Sequence, residues 1–270
     1  MKNALRHIRH FGAFGSITLK EQTAYTAWFW SDLLGQVVLM LIAVAFWRAV
    51  YAATPSLRGL EQEQTIAFVL VANTVGLVVR WSMIWDFGVM IRDGSIGIEL
   101  LRPVDFQLRM YATKLVHLGA TIIRQMLLLG AFAYLFLGLR LTTDLRVWLA
   151  FALSMLLGNA ILFFFDWTLS LVAFYSTELR GLIIMRDGIA VFFSGFLIPL
   201  ALLPDWLQRV AALLPFGQVL NTPVAILTGI IPLADLPAAL LGQLAWLAGL
   251  AAVSRPAFGW AVRKVTVQGG

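Results

Sequence analysis

The sequence has no cysteine, which removes disulfides, thiolate metal sites and a cysteine nucleophile from consideration. Charge is scarce. Only 13% of the 270 residues are Asp, Glu, Lys or Arg, against about 25% in an ordinary soluble domain. Histidine is limited to His7, His10 and His117, and no GxSxG or HExxH pattern occurs. A nucleophile–base pair or a zinc hydrolase site therefore has no candidates. No Gly-Lys dipeptide is present, so the phosphate-cradling loop of a nucleotidase cannot form. Asp93-Gly94 and Asp187-Gly188 match the opening of lipid-phosphotransferase metal motifs, but the spaced carboxylates such enzymes need do not follow. Neither an enzyme nor a metal site is expected. The net charge is +6, yet no basic–aromatic surface module accompanies it, so nucleic acid is not expected as a partner.

What the sequence does hold is apolar bulk: 60% of its residues are hydrophobic. Runs of about 20 apolar residues suffice to cross a bilayer. Six such runs are readable, at about 28–50, 65–84, 115–137, 147–174, 182–203 and 237–263. The predicted fold is an all-α integral membrane protein with six transmembrane helices, forming a single domain over 1–270. Residues 1–27 form a basic N-terminal segment, interfacial or cytosolic. It is too long ahead of the first apolar run for an ordinary cleavable signal, so it is expected to be retained. With both termini cytoplasmic, fourteen of the 20 Lys and Arg fall inside and five outside, with Arg124 within a span. That asymmetry follows the positive-inside rule.

Three features carry functional information. Residues 85–114 are the longest polar stretch. Within it Asp93-Gly94 signals a turn, Ile96, Ile98, Leu100 and Leu101 make a short apolar segment, and Glu99 and Arg102 add charge. Pro103 blocks continuation of that segment, and Asp105 is placed to cap the next helix. A short helix at the cytoplasmic face with apolar groups exposed calls for a partner surface, or else rests on lipid. The second feature is residues 204–236. Pro204 and Trp206 open a short helix, Pro215-Phe216 break it, and Pro223 starts another that ends near Gly229. Each is too short to cross a bilayer. They either dip in and return as re-entrant helices or lie flat on the outer leaflet. The third is a pair of charges within spans, Arg124 and Asp166. They read as a pathway or gating pair, or as structural charges, with Asp166 close to the inner interface.

Taken together, Ser194-Gly195, Ile198-Pro199-Leu200, Leu203-Pro204, Trp206-Leu207, Leu214-Pro215-Phe216, Pro223 and Gly229 resemble the last third of ABC-2 type exporter permeases. The stretch from Arg92-Asp93-Gly94 to Leu101-Arg102-Pro103-Val104 resembles the first cytoplasmic loop of the same superfamily, closest to its daunorubicin- and viologen-exporter branch. The resemblance implies a bacterial inner-membrane exporter in which two identical or related permease subunits pair around a central pathway. Each subunit would bind a separate ABC ATPase subunit, which holds ATP and Mg, through the short helix at Asp93, Gly94, Ile96, Glu99, Leu100, Leu101, Arg102 and Pro103. External re-entrant helices at Pro204, Trp206, Pro215, Phe216, Pro223 and Gly229 would cap the outer end. Spans rich in Phe, Leu and Trp suit a hydrophobic or amphipathic cargo, and equally suit lipid. The alternative from another class is a secondary transporter or channel driven by an ion gradient, for which an internal repeat would argue. None is readable.

Overall fold

The computed structural model describes residues 26–77, 82–176 and 178–263. Most of the predicted N-terminal segment, together with Arg80 and Lys264, lies outside the described residues. Helix α1 (Thr26–Ala53) leads into a two-residue-per-strand hairpin, β1 (Ser56–Leu57) and β2 (Leu60–Glu61), and then α2 (Gln62–Val75). Next come α3 (Ile84–Arg92) and the short α4 (Ser95–Leu100). A long helix follows in three parts: α5 (Phe106–Thr121), a π-helical turn (Ile122–Met126) and α6 (Leu127–Phe136). Helix α7 (Leu145–Ser170) ends in a 3-10 turn (Leu171–Phe174) and α8 (Arg180–Phe193) follows. The chain then passes through α9 (Asp205–Ala212), a second π turn (Gly217–Asn221), α10 (Thr222–Leu227) and α11 (Leu236–Val262).

Side-chain caps set several of these boundaries. The Asp105 carboxylate accepts from the Leu108 amide at 2.8 Å and starts α5. Asp144 does the same for α7 through Arg146 N, also at 2.8 Å. Each satisfies an amide that the first helical turn leaves without a partner. Glu61 and Gln64 form a reciprocal capping box at the head of α2. Helix α5 begins well before the span expected at 115, so the polar loop proper is limited to Asp93–Asp105.

Four helical stretches among the described residues are long and apolar enough to cross a membrane: Phe29–Ala53, Phe106–Phe136, Leu145–Phe174 and Leu233–Val262. The pair Asp205–Ala212 and Gly217–Leu227, bent by 91°, would make a fifth if taken as one broken span. Two of the six expected spans do not form unbroken long helices. Helices α2 and α8 have 14 residues each, about 21 Å at 1.5 Å per residue, against a hydrocarbon core of about 30 Å. Gly76 caps α2 and lets Phe196 approach closely: a Cβ on that glycine would lie 2.5 Å from the phenyl ring.

Helix α7 is the centre of the bundle. Half of its most apolar window is buried within the protein, against 6% for α11. It packs on α11, α10, the second π turn and α3. Gly158 permits the closest of these approaches, since a Cβ there would sit 2.8 Å from the Val219 carbonyl. Gly158→Ala should therefore lower stability by about 1–3 kcal/mol, read as a drop in unfolding temperature; an unchanged value would mean that the two backbones are not in contact. The faces of α1, α6 and α11 away from α7 carry exposed Leu34, Ile42, Leu135, Phe136, Leu241 and Val253. In a bilayer such faces meet lipid or another protein.

Candidate functional site

The Asp93–Asp105 segment folds as a helical hairpin at one end of the bundle. Gly94 takes φ 76°, a conformation that costs other residues strain. The Asp93 carboxylate accepts from Ser95 N at 2.9 Å, and its hydrogen bonds to Ser95 hold that carboxyl below the usual carboxylate range. Helix α4 then runs six residues and stops at Leu100, two residues before the chain turns at Arg102-Pro103.

The hairpin has an inner and an outer face. Ile96 is buried, and Leu100 is half-buried against the same aromatic cluster. In that cluster Trp167 lies 5.6 Å from Phe87, 5.5 Å from Phe106 and 5.0 Å from Phe258 between ring centroids. Glu99 turns inward too. It pairs with Arg109 on α5 and with Arg102 at 3.2 Å. Asp105 reaches Arg255 of α11 at 3.3 Å. Ile98 and Leu101 face outward, 66% and 86% exposed. The sequence treats the four apolar residues of this segment alike, whereas two of them belong to the protein's own core. Glu99 likewise serves the hairpin's own structure.

Arg124 and Asp166 do not form a pair. Asp166, fully buried on α7, accepts two bonds from Arg186 of α8, from Nε at 2.9 Å and Nη2 at 2.9 Å. Arg186 also donates through Nη1 to Asp187 at 2.9 Å. Buried Lys114 of α5 interacts electrostatically with both Asp166 and Arg186. Three helices thus meet at one charged centre. A buried ion pair of this kind persists only with good geometry and added hydrogen bonds, which the two-pronged contact supplies. Arg186 and Lys114 read as inner-flank cations in the sequence; the signal for Arg186 was its place inside an apolar run. Asp187 is 45% exposed and edges a cleft of about 430 Å³ lined also by Leu39, Gly76, Ala190, Val191, Ser194 and Phe196. Its walls come from α1, the end of α2 and α8. Arg124 sits in the first π turn, its guanidinium 5.8 Å from the Phe29 ring. The neighbouring Gln125 donates to Asp32 of α1 at 3.0 Å. π turns put an extra residue into a helix and concentrate at functional positions.

The segment from Pro204 to Gly229 lies at the opposite end. Pro204 precedes α9, where Trp206 is 65% exposed. The chain breaks at Leu213–Phe216, with Pro215 in the break, and the second arm leaves at 91°. That arm starts earlier than the sequence suggests, in the π turn at Gly217, and carries buried Pro223 in the first turn of α10. Phe216 stacks edge-on against Phe165 at 4.9 Å. The backbone of the π turn is held by Gln243 of α11, which donates to Gln218 O at 2.7 Å and Ser154 O at 3.1 Å. Gly229 ends the arm at φ 73°. Arg58, in the β1–β2 turn, binds Leu203 O and Asp205, so the hairpin is fastened to the start of α9.

A family model described as ABC-2 family transporter protein matches residues 17–269. No curated protein matches the chain.

Proposed function

We propose, from the premise that this chain belongs to the ABC-2 transporter family, that it is the membrane permease subunit of an ABC exporter. It is a multi-pass membrane protein, and such a subunit needs no nucleotide site of its own. In this reading two permease subunits, identical or related, pair around a pathway and move a hydrophobic or amphipathic compound out of the cytoplasm. Separate ATPase subunits carrying ATP and Mg supply the energy. The membrane is the bacterial inner membrane, and the branch is the daunorubicin- and viologen-exporter one.

The observation that carries the reading is the α3–α4 hairpin. It is fixed inward by Ile96, Leu100 and Glu99, and it presents Ile98 and Leu101 outward at the end of the bundle. A rigid element with apolar side chains facing out is a surface for a protein partner. The cleft beside Asp187, mostly apolar with a charged edge, supports an amphipathic cargo. In a six-span arrangement α2 would belong to the second crossing, and α8 with residues 194–203 would complete the fifth. The bent pair α9–α10 would then be the external re-entrant element, its inner arm satisfied by protein.

Co-purification tests this. Tagged chain extracted in mild detergent should bring down an ABC ATPase whose turnover rises when the two are reconstituted together. Transport by the chain alone, driven by an ion gradient, would overturn the reading in favour of a secondary transporter. Orientation has its own test on the cysteine-free background. Thr143 and Arg263 are exposed, near opposite ends of their helices. Thr143→Cys should react with an impermeant maleimide in intact cells, and Arg263→Cys only after permeabilisation. The reverse pattern would place the termini outside.

A further inference from the structure

At the bundle end that carries the β1–β2 hairpin, a cleft of about 380 Å³ opens between the last turns of α1, the first turns of α2, the loop after α6 and Thr228. Arg48 of α1 and Arg140 of the loop both line it, with Gln62, Glu63 and Gln64. Both arginines are exposed, and among the described residues neither makes an ion pair or a hydrogen bond. Of the other arginines at this end, Arg58 pairs with Asp205 and Arg146 with Asp144, and the exposed Arg209 of α9 does not line the cleft. Two guanidiniums brought to one cleft from a helix and a distant loop, with no acid to neutralise both, are an arrangement that a ligand completes. Glu63 offsets one of them and leaves a net charge of one positive.

We propose that the cleft between Arg48, Arg140 and the head of α2 binds the phosphodiester of a membrane phospholipid. A phosphodiester carries one negative charge, which matches the cleft's balance. Its oxygens suit the planar donor fork of arginine better than a point charge would. The depth also fits. Arg48 lies just before the end of α1, and Trp148, whose indole donates to Thr142 O at 2.9 Å, stands at the same end of α7. Arginine and tryptophan at span ends mark the headgroup level. Next to the cleft the helices offer apolar surface for acyl chains: Phe46 precedes Arg48 by two residues, and Tyr134, Leu135 and Phe136 on the last turn of α6 are exposed. The site joins α1 and α2, already linked at this end by Tyr51 and Thr65, to the loop after α6.

The test uses the purified full-length chain in detergent. Dioctanoyl phosphatidylglycerol is titrated, with dioctanoylglycerol and inorganic phosphate as separate probes, and binding is read by native mass spectrometry and by the shift in unfolding temperature. The phospholipid should bind at least about tenfold more tightly than dioctanoylglycerol, and Arg48→Gln with Arg140→Gln should remove about that factor. Because both side chains are exposed, the double variant should unfold, without lipid, at the wild-type temperature. Arg146→Gln, an exposed arginine at the same end that does not line the cleft, should bind lipid as the wild type does. Equal affinity in the double variant overturns the proposal, as does equal loss in Arg146→Gln, which would mean unspecific charge attraction. Stabilisation by dioctanoylglycerol equal to that by the phospholipid would remove phosphate recognition. Protection by inorganic phosphate as strong as that by the lipid would make free phosphate the ligand and end the lipid assignment.

Discussion

Asp166→Asn should be among the most damaging single substitutions in the chain, costing about 3–5 kcal/mol of stability because it removes the buried carboxylate that balances two buried cations. Asp166 is fully buried and takes both prongs of Arg186. Removing its charge leaves Arg186 and Lys114 facing each other, with Asp187 at the rim as the nearest anion. Arg186→Met should cost less, since Lys114 and Asp166 remain as a balanced pair. The order of the two effects is the informative part: a larger loss at Arg186 than at Asp166 would mean that Lys114 does not share the carboxylate. Replacing Asp166 and Arg186 together with leucine and methionine should recover part of the loss, as apolar replacements of buried pairs commonly do. Unfolding temperature in detergent, with yield of monodisperse protein, reads all three. Wild-type stability in Asp166→Asn would show that this centre is solvated and not a structural junction. Transport by the double variant then separates roles: if it folds but does not transport, the centre serves the moving parts of the protein beside the cleft and not only its packing.

The sequence made the long elements legible and left their partners hidden. Apolar runs at 28–50, 115–137, 147–174 and 237–263 became α1, α5–α6, α7 and α11, because length and hydropathy alone decide such helices. The turn at Asp93-Gly94, the cap at Asp105 and the break around Pro215 were also readable, since each depends on local chemistry. The ends of α2 and α8 were not. An apolar run continues through both, and the Phe196 ring that Gly76 accommodates at the end of α2 is more than a hundred residues away. The π turns escaped as well: Ile122–Met126 has no residue that breaks a helix, so no local chemistry marks the extra residue. The Asp166–Arg186 pair could not be seen because a single sequence gives no information on which charges meet. Exposure within a six-residue helix is settled the same way. Ile96 and Leu100 turn toward Trp167 and its neighbours, and nothing local distinguishes them from Ile98 and Leu101.

That division of the α4 residues decides where energy coupling is best tested. Leu101→Asp is expected to abolish ATPase association while leaving the chain folded. Leu101 is 86% exposed, and a substitution on such a surface usually changes stability by no more than about 0.5 kcal/mol. If the ATPase covers it, the same carboxylate becomes a buried charge without a partner, with a cost on the order of 3 kcal/mol. That is about a hundredfold in affinity, enough to lose the subunit during purification. Ile98→Asp, on the same outward face, should act alike. Leu100→Asp is the contrast: its side chain packs on the cluster around Phe106 and Trp167, so it should lower stability whether or not a partner is present. Glu99→Gln should loosen the hairpin by freeing Arg109 and weaken coupling without placing a charge in the contact. The measurements are ATPase retained per permease and transport in vesicles, alongside the unfolding temperature of each variant. Full ATPase retention and full transport in Leu101→Asp would remove α4 as the coupling surface. A helix resting on lipid predicts something different again, poorer membrane stability in Leu101→Asp with ATPase retention and coupling unchanged.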